Sequence, residues 1–289
     1  MKGNYEFSSI EVFVKRKNKK IVTIIVILII TFFIYLGIKQ LISENIAIGK
    51  DDIDKNEIEI EISKVEEKPK VITEEIKNKI NGIYKSEEKR AFLTFDDGPS
   101  NITGSILDIL KEKNIKATFF VLGSNVDKNP ELVKRMYDEG HFIANHGYTH
   151  IYEKIYRSKE TVLEEYDRCN DSISRAIGIQ GYNPHLFRFP GGYLGESTYT
   201  QIKQEAGKFL EDNDIMNVDW NALTGDSEGT GMNLKGIMGN IQNTTKDKNS
   251  VVVLMHDASG KQITCETLPN VIEYLTNSGY VFKSFYDVF

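Results

Sequence analysis

From residue 90 to the end of the chain, short apolar runs alternate with longer stretches in which apolar residues recur every three or four positions. Runs at 91–95, 117–122, 142–145, 186–189, 215–219, 251–255 and 280–282 have the length and the aromatic or β-branched content of buried strands. Helical spacing falls at 102–113, from Asn129-Pro130 onward, from Ser158 to Gly178, and at 197–206, 233–244 and 268–278. The end signals agree, since Pro130 suits a first helical turn and Gly178 stands where a C-cap glycine belongs. Strand-then-helix repetition predicts parallel strands joined by crossover helices. About seven such units predict an α/β fold, a distorted (β/α) barrel that is closed or nearly so.

The opposite end of the chain follows another pattern. Residues 21–38 read IVTIIVILIITFFIYLGI without a charge, a helix of roughly 27 Å that matches a bilayer core. Lys15, Arg16, Lys17, Lys19 and Lys20 precede it and Asp51, Asp52 and Asp54 follow, which places the N-terminus in the cytoplasm. The run is longer than a signal-peptide core, and no small-residue cleavage pair follows closely. The expected organisation is a cytoplasmic tail at 1–20, a transmembrane anchor at 21–38, an extracytoplasmic stalk at 39–88 and a catalytic domain at 89–289. The stalk is rich in Glu, Lys, Asp and Asn. Two patterns interrupt it: the strict alternation of residues 57–62, and Ile72, Ile76 and Ile80 at helical spacing. Either could pack on the domain or remain solvated; the stalk as a solvated spacer is the expected reading.

Charge and cysteine usage narrow the function. The net charge of -6, with no basic stripe outside the membrane segment, excludes a nucleic-acid partner. An oxidising exterior would permit a disulfide between Cys169 and Cys265, but nothing in their spacing supports one, and the expected reading is two free buried thiols.

Candidate chemistry sits where strands end. The run 91–95 stops at Asp96 and Asp97 before Gly98-Pro99, which cannot continue a strand. His146 and His150 follow the third strand; on a helical turn their i, i+4 spacing would aim both imidazoles at one ion. Asp97 adds a carboxylate, giving a facial set that leaves coordination positions open for water and substrate. Arg188, Asp219 with Trp220, and His256 end three further strands. In a parallel barrel all these ends share one rim. His141 and His185 read as surface or packing residues, and Asp226 as a loop carboxylate.

Thr94 to Ser100, His146-Gly147-Tyr148-Thr149-His150, Arg188-Phe189-Pro190, Val218-Asp219-Trp220 and Leu254-Met255-His256 resemble, in order, the five motifs of the polysaccharide deacetylase family, carbohydrate esterase family 4, built on the NodB-type domain. The resemblance covers roughly residues 89–289. It implies Asp96 as general base, Asp97, His146 and His150 as metal ligands, and Arg188 as the cation that holds Asp96. It also implies His256 as general acid with Asp219 orienting it. Trp220 and Leu254 would shape the acetyl pocket, and the Gly191 N–H after Pro190 would bind the oxyanion. The implied cofactor is one divalent ion, zinc by its ligand set, with cobalt, nickel or iron compatible. Two positions depart from the family: Gly147 where members carry Ser or Thr, and Gly191-Gly192 where an aromatic often follows the proline, with Tyr193 as its candidate substitute.

The implied substrate is an acetylated glycan. A deacetylase tethered outside the cytoplasmic membrane meets cell-wall glycan first, so the expected partner is peptidoglycan and the expected reaction is hydrolysis of the N-acetyl group of N-acetylglucosamine. Alternatives are N-acetylmuramic acid, another exported amino-sugar polymer or an O-acetyl ester, and, outside enzymes, a silent glycan-binding surface protein. A metallopeptidase is excluded, because Gly147 occupies the place of the glutamate in His-Glu-x-x-His.

Overall fold

A computed structural model of the protein describes residues 72–228 and 232–289. The expected tail, the anchor and the alternating segment 57–62 lie outside the described residues. Among the described residues no helix is long and apolar enough to cross a membrane.

A first helix, α1 (Glu74–Asn81), precedes the alternating part of the chain. There follow β1 (Arg90–Asp96), α2 (Thr103–Glu112), β2 (Thr118–Val121), α3 (Gly123–Val126), α4 (Pro130–Asp138) and β3 (Phe142–Asn145). Next come α5 (Tyr152–Ile155), α6 (Lys159–Ile177), β4 (Leu186–Phe187), α7 (Thr200–Asp212) and β5 (Met216–Asn217). The chain ends with β6 (Ala222–Leu223), α8 (Leu234–Thr245), β7 (Ser250–His256), α9 (Gln262–Asn277), β8 (Val281–Lys283) and a 3-10 turn at Phe285–Asp287. Local chemistry sets the helix ends. Ser158 and Thr161 form a reciprocal capping box at the start of α6, and Gly178 closes it at φ 74°.

All strand pairs are parallel, in the order β5-β4-β3-β2-β1-β7-β6. β1 is the hub. One edge pairs with β7 from Arg90↔Ser250 to Asp96↔His256, while the other pairs with β8 near its start and with β2 near its end. Strands β5 and β6 stand at opposite ends of this order, yet only residues 218–221 separate them. Five Cα steps span at most about 18 Å, whereas seven strands laid flat would set the edges about 29 Å apart. The sheet therefore has to curl into a barrel. No β5–β6 pairing occurs among the described residues, so it stays open at that seam. Strand β6 was not expected: it is two residues long and follows β5 without an intervening helix.

Alternation along the strands sorts the core into two layers. Ala91, Leu93 and Phe95 of β1, with Val251, Val253 and Met255 of β7, face outward onto Ile106, Leu110, Leu268 and Val271 of the helices. Phe92 and Val252 face inward and fill the barrel floor with Phe120, Phe142, Leu186 and Phe285. Inward and one step higher, the polar residues begin.

That floor also contains Ile72, Ile80 and Ile83. The folded domain thus begins upstream of residue 89, and the last part of the expected stalk is core rather than spacer. Thr73 caps α1, and the Ile72 N–H donates to Asp214 Oδ1 at 2.9 Å. Ile83 is fully buried. Replacing it with alanine is expected to cost about 2–4 kcal/mol of stability, read as a lowered urea midpoint; an unchanged midpoint would show that this segment does not belong to the core.

Candidate active site

Asp96 and His256 are Cα partners across adjacent strands, and both belong to the inward-facing series of their strands. Asp96 is 3% exposed. Its Oδ1 accepts from Arg188 Nη1 at 2.8 Å, and the same nitrogen donates to Thr94 Oγ1 at 2.8 Å. Arg188 is wholly buried and further held by the carbonyls of Val218 and Asp219, with its guanidinium 3.9 Å from the centre of the Phe120 ring. Burial raises the Asp96 carboxyl above its usual range, and the Arg188 charge offsets part of that rise. A buried carboxylate clamped at one oxygen leaves the other for proton traffic.

Asp97, His146 and His150 come together, but not on a helical turn. The residues between the histidines form a loop, with Gly147 at φ 84° and His150 at φ 57°. Two buried side chains shape that loop. Asn145 Oδ1 accepts from the Gly147 N–H at 2.8 Å, and Glu165 of α6 accepts from the N–H groups of Tyr148 and Thr149 and from the Thr149 hydroxyl. A Cβ at position 147 would lie 3.2 Å from Ile155 in a left-handed backbone. Glycine is therefore demanded at this position, and the Thr149 hydroxyl is committed to Glu165.

The three donor atoms lie within 4.8 Å of one another. Asp97 Oδ1 stands 3.5 Å from His146 Nε2 and 3.4 Å from His150 Nε2, and it is buried without a hydrogen-bond partner among the described residues. Two ligands about 2.1 Å from one ion in tetrahedral geometry would be about 3.4 Å apart. The His146 Nδ1–H donates to the Arg188 carbonyl at 2.7 Å, which leaves Nε2 with its lone pair. Burial pushes the His146 imidazolium down to about 3, so the ring is neutral, as a ligand must be. An orphaned carboxylate oxygen facing two imidazole nitrogens fits a divalent cation.

His256 does not pair with Asp219. Its Nδ1–H donates to Asp226 Oδ1 at 2.9 Å and its backbone N–H to Asp226 Oδ2 at 2.7 Å, while Thr264 adds a 2.6 Å hydrogen bond to the same carboxylate. Burial by itself would lower His256, but the Asp226 hydrogen bond and charge, with Asp96 and Asp97 beyond, raise it above its ordinary value. Asp219 instead turns the other way. It accepts from the N–H groups of Tyr193 at 2.9 Å and Leu194 at 2.8 Å, and so ties down the loop after Pro190. The orienting carboxylate is thus Asp226, brought in by a turn at Gly225, φ 74°.

The same loop carries Gly191 and Gly192, both at positive φ. A Cβ on Gly191 would meet the Tyr152 hydroxyl at 2.4 Å, and one on Gly192 would meet the Trp220 ring at 3.0 Å. The Tyr152 ring lies 5.5 Å from that of His150, which puts Gly191 on the ligand side of the rim. Tyr193 packs inward against Phe189, so it does not stand in for a rim aromatic. Leu254 shares the inward series of β7 with His256, and half-buried Trp220 lies beyond Arg188. Asp257 lies under Gly98, where a Cβ would come within 2.0 Å of its carboxylate, and accepts from Thr103.

The remaining histidines and the cysteines are outside this cluster. Buried His141 accepts from the Ala117 N–H, and burial pushes it down to about 4; His185 donates to the Asp214 carbonyl. Cys169 and Cys265 are both free.

Three comparisons bear on this arrangement. The sequence model of the polysaccharide deacetylase family matches residues 84–208. A peptidoglycan-N-acetylglucosamine deacetylase of Bacillus cereus is 31% identical over 277 residues, 94% of this chain and 93% of that protein. A peptidoglycan-N-acetylmuramic acid deacetylase of Bacillus subtilis is 31% identical over 252 residues, 85% of this chain and 48% of that protein. Among solved structures, a Streptococcus mutans CE4 esterase superposes with a TM-score of 0.65 at 31% identity, covering 72% of this chain and 90% of that one.

Proposed function

Since the chain belongs to the polysaccharide deacetylase family, carbohydrate esterase family 4, we propose that it hydrolyses the N-acetyl group of N-acetylglucosamine in peptidoglycan and releases acetate. The observation that carries the reading is the unpartnered Asp97 Oδ1 facing two imidazole nitrogens, beside a carboxylate and a histidine opposed across adjacent strands.

A divalent ion, zinc by its ligand set, held by Asp97, His146 and His150 would supply Lewis acidity to the attacking water and the acetyl carbonyl. Asp96 takes the proton of that water, and Arg188 keeps its carboxylate aimed. The Gly191 N–H donates to the oxygen on which negative charge develops. His256, kept protonated by Asp226, delivers a proton to the departing sugar amine, and acetate leaves. Trp220 and Leu254 line the side where the acetyl methyl sits. The relative that acts on N-acetylmuramic acid supports that sugar as the second reading.

We also propose that residues 21–38 anchor the protein in the cytoplasmic membrane with this site outside, facing the wall. Acetate release by the full chain from purified peptidoglycan, compared with oligosaccharides of N-acetylglucosamine, tests the substrate. Release from the small oligosaccharides alone would discard peptidoglycan.

The acid role carries its own pH signature. A raised His256 remains protonated to a higher pH than a free histidine would, so the alkaline limb of activity lies above the usual histidine range. Asp226→Asn removes the charge that raises it and should move that limb to lower pH. A limb that stays in place would remove Asp226 from this role.

A further inference from the structure

The proposed oxyanion donor stands on a loop with little stiffness of its own. Gly191 and Gly192 sit at φ 72° and 75°, where glycine has more freedom than any other residue. A donor on such a loop is effective only if something else fixes its direction, because electrostatic stabilisation of a transition state depends on dipoles already in place.

The Gly191 N–H belongs to the peptide that begins at the Pro190 carbonyl. That peptide is trans and planar, so its N–H and C=O point in opposite directions, and whatever holds the oxygen sets the aim of the hydrogen. Tyr156, at the end of α5 and 3% exposed, donates its hydroxyl to Pro190 O at 2.6 Å. A hydrogen bond to that carbonyl also polarises the amide and makes its N–H a stronger donor.

Below the next two peptides lies Lys203 of α7. Its ammonium donates to Gly192 O at 2.6 Å and reaches Gly191 O at 3.4 Å, and it stands 4.9 Å from the centre of the Tyr156 ring. Lys203 is 4% exposed and makes no ion pair with a carboxylate among the described residues. Burying an ammonium on carbonyls and an aromatic face is a cost that an apolar side chain at this position would avoid. Asp219 completes the grip from the far side through the Tyr193 and Leu194 N–H groups.

We infer that Tyr156 and Lys203 are positioning residues for the reaction, holding the Pro190–Gly192 backbone so that the Gly191 N–H meets the developing oxyanion. The inference rests on the deacetylase reading above. Neither residue touches substrate, so both act through the loop.

The test uses the full chain with its metal bound, acting on purified peptidoglycan or an N-acetylglucosamine oligosaccharide, whichever releases acetate faster. Tyr156→Phe removes one hydroxyl, and Lys203→Met removes the charge at nearly constant volume. Each is expected to lower kcat about 10- to 100-fold, less than deleting a donor outright, while KM changes less than about threefold, because ground-state binding does not use the aimed N–H. Metal content and Tm should stay near those of the unaltered protein, and Lys203→Arg should recover a measurable part of kcat. Unaltered kcat in Tyr156→Phe and Lys203→Met, or a loss that follows Tm or metal content, would overturn the inference. Absence of acetate release from the unaltered, metal-loaded chain would instead overturn the deacetylase reading itself.

Discussion

Replacing Asp96 with asparagine is expected to lower turnover by about three orders of magnitude while the protein keeps its metal. The substitution is nearly isosteric, and the amide oxygen can still accept from Arg188 Nη1, so packing around this buried site should survive. What disappears is the ability to take a proton. The donor atoms of Asp97, His146 and His150 are untouched, so metal content measured beside kcat separates loss of the base from loss of the site. More than about a tenth of the original kcat would remove Asp96 from the base role, since a positioned base contributes at least about 100-fold.

Replacing Asp97 with asparagine should give the complementary result, in which metal and activity fall together. Asparagine tolerates the left-handed backbone found there at φ 72°, so the fold is not the target. The loss is of negative charge at the oxygen that faces both imidazoles. Affinity for the ion should fall about 100-fold or more, and excess metal should restore part of the activity. Excess metal should do nothing for Asp96→Asn. If both variants kept their metal and lost activity equally, the separate roles of the two adjacent carboxylates would be wrong.

Much of this site could be read along the chain because a parallel barrel gathers its strand ends. Apolar runs that stop at Asp96, Asn145 before His146, Phe187 before Arg188, and His256 give both the strand and its rim residue. What could not be read depended on partners distant in sequence. Asp219 and Asp226 are both carboxylates well before His256, and the choice between them is made by the turn at Gly225 and by the pull of the Tyr193 and Leu194 N–H groups on Asp219. Glu165 and Lys203 lie on helices among other charges and look solvated; only the loops that fold over them give them partners. For Lys203 a signal was present, since it falls in helical register with buried Ala206, Gly207 and Leu210.

The start of the domain was hidden for the same reason. Ile72, Ile76 and Ile80 showed their helical spacing, but Phe92 and Phe285, which share the floor cluster with Ile72 and Ile80, lie in other parts of the chain. The short β6 carries no periodicity of its own, being fixed by pairing with Val253 and Leu254 of β7.

The most direct test of the whole account is acetate release from purified peptidoglycan by the full chain, measured before and after chelation and again after zinc is returned. Chelation should abolish the release and added zinc should restore it. Release unaffected by chelation from a protein shown to have lost its metal would contradict the account.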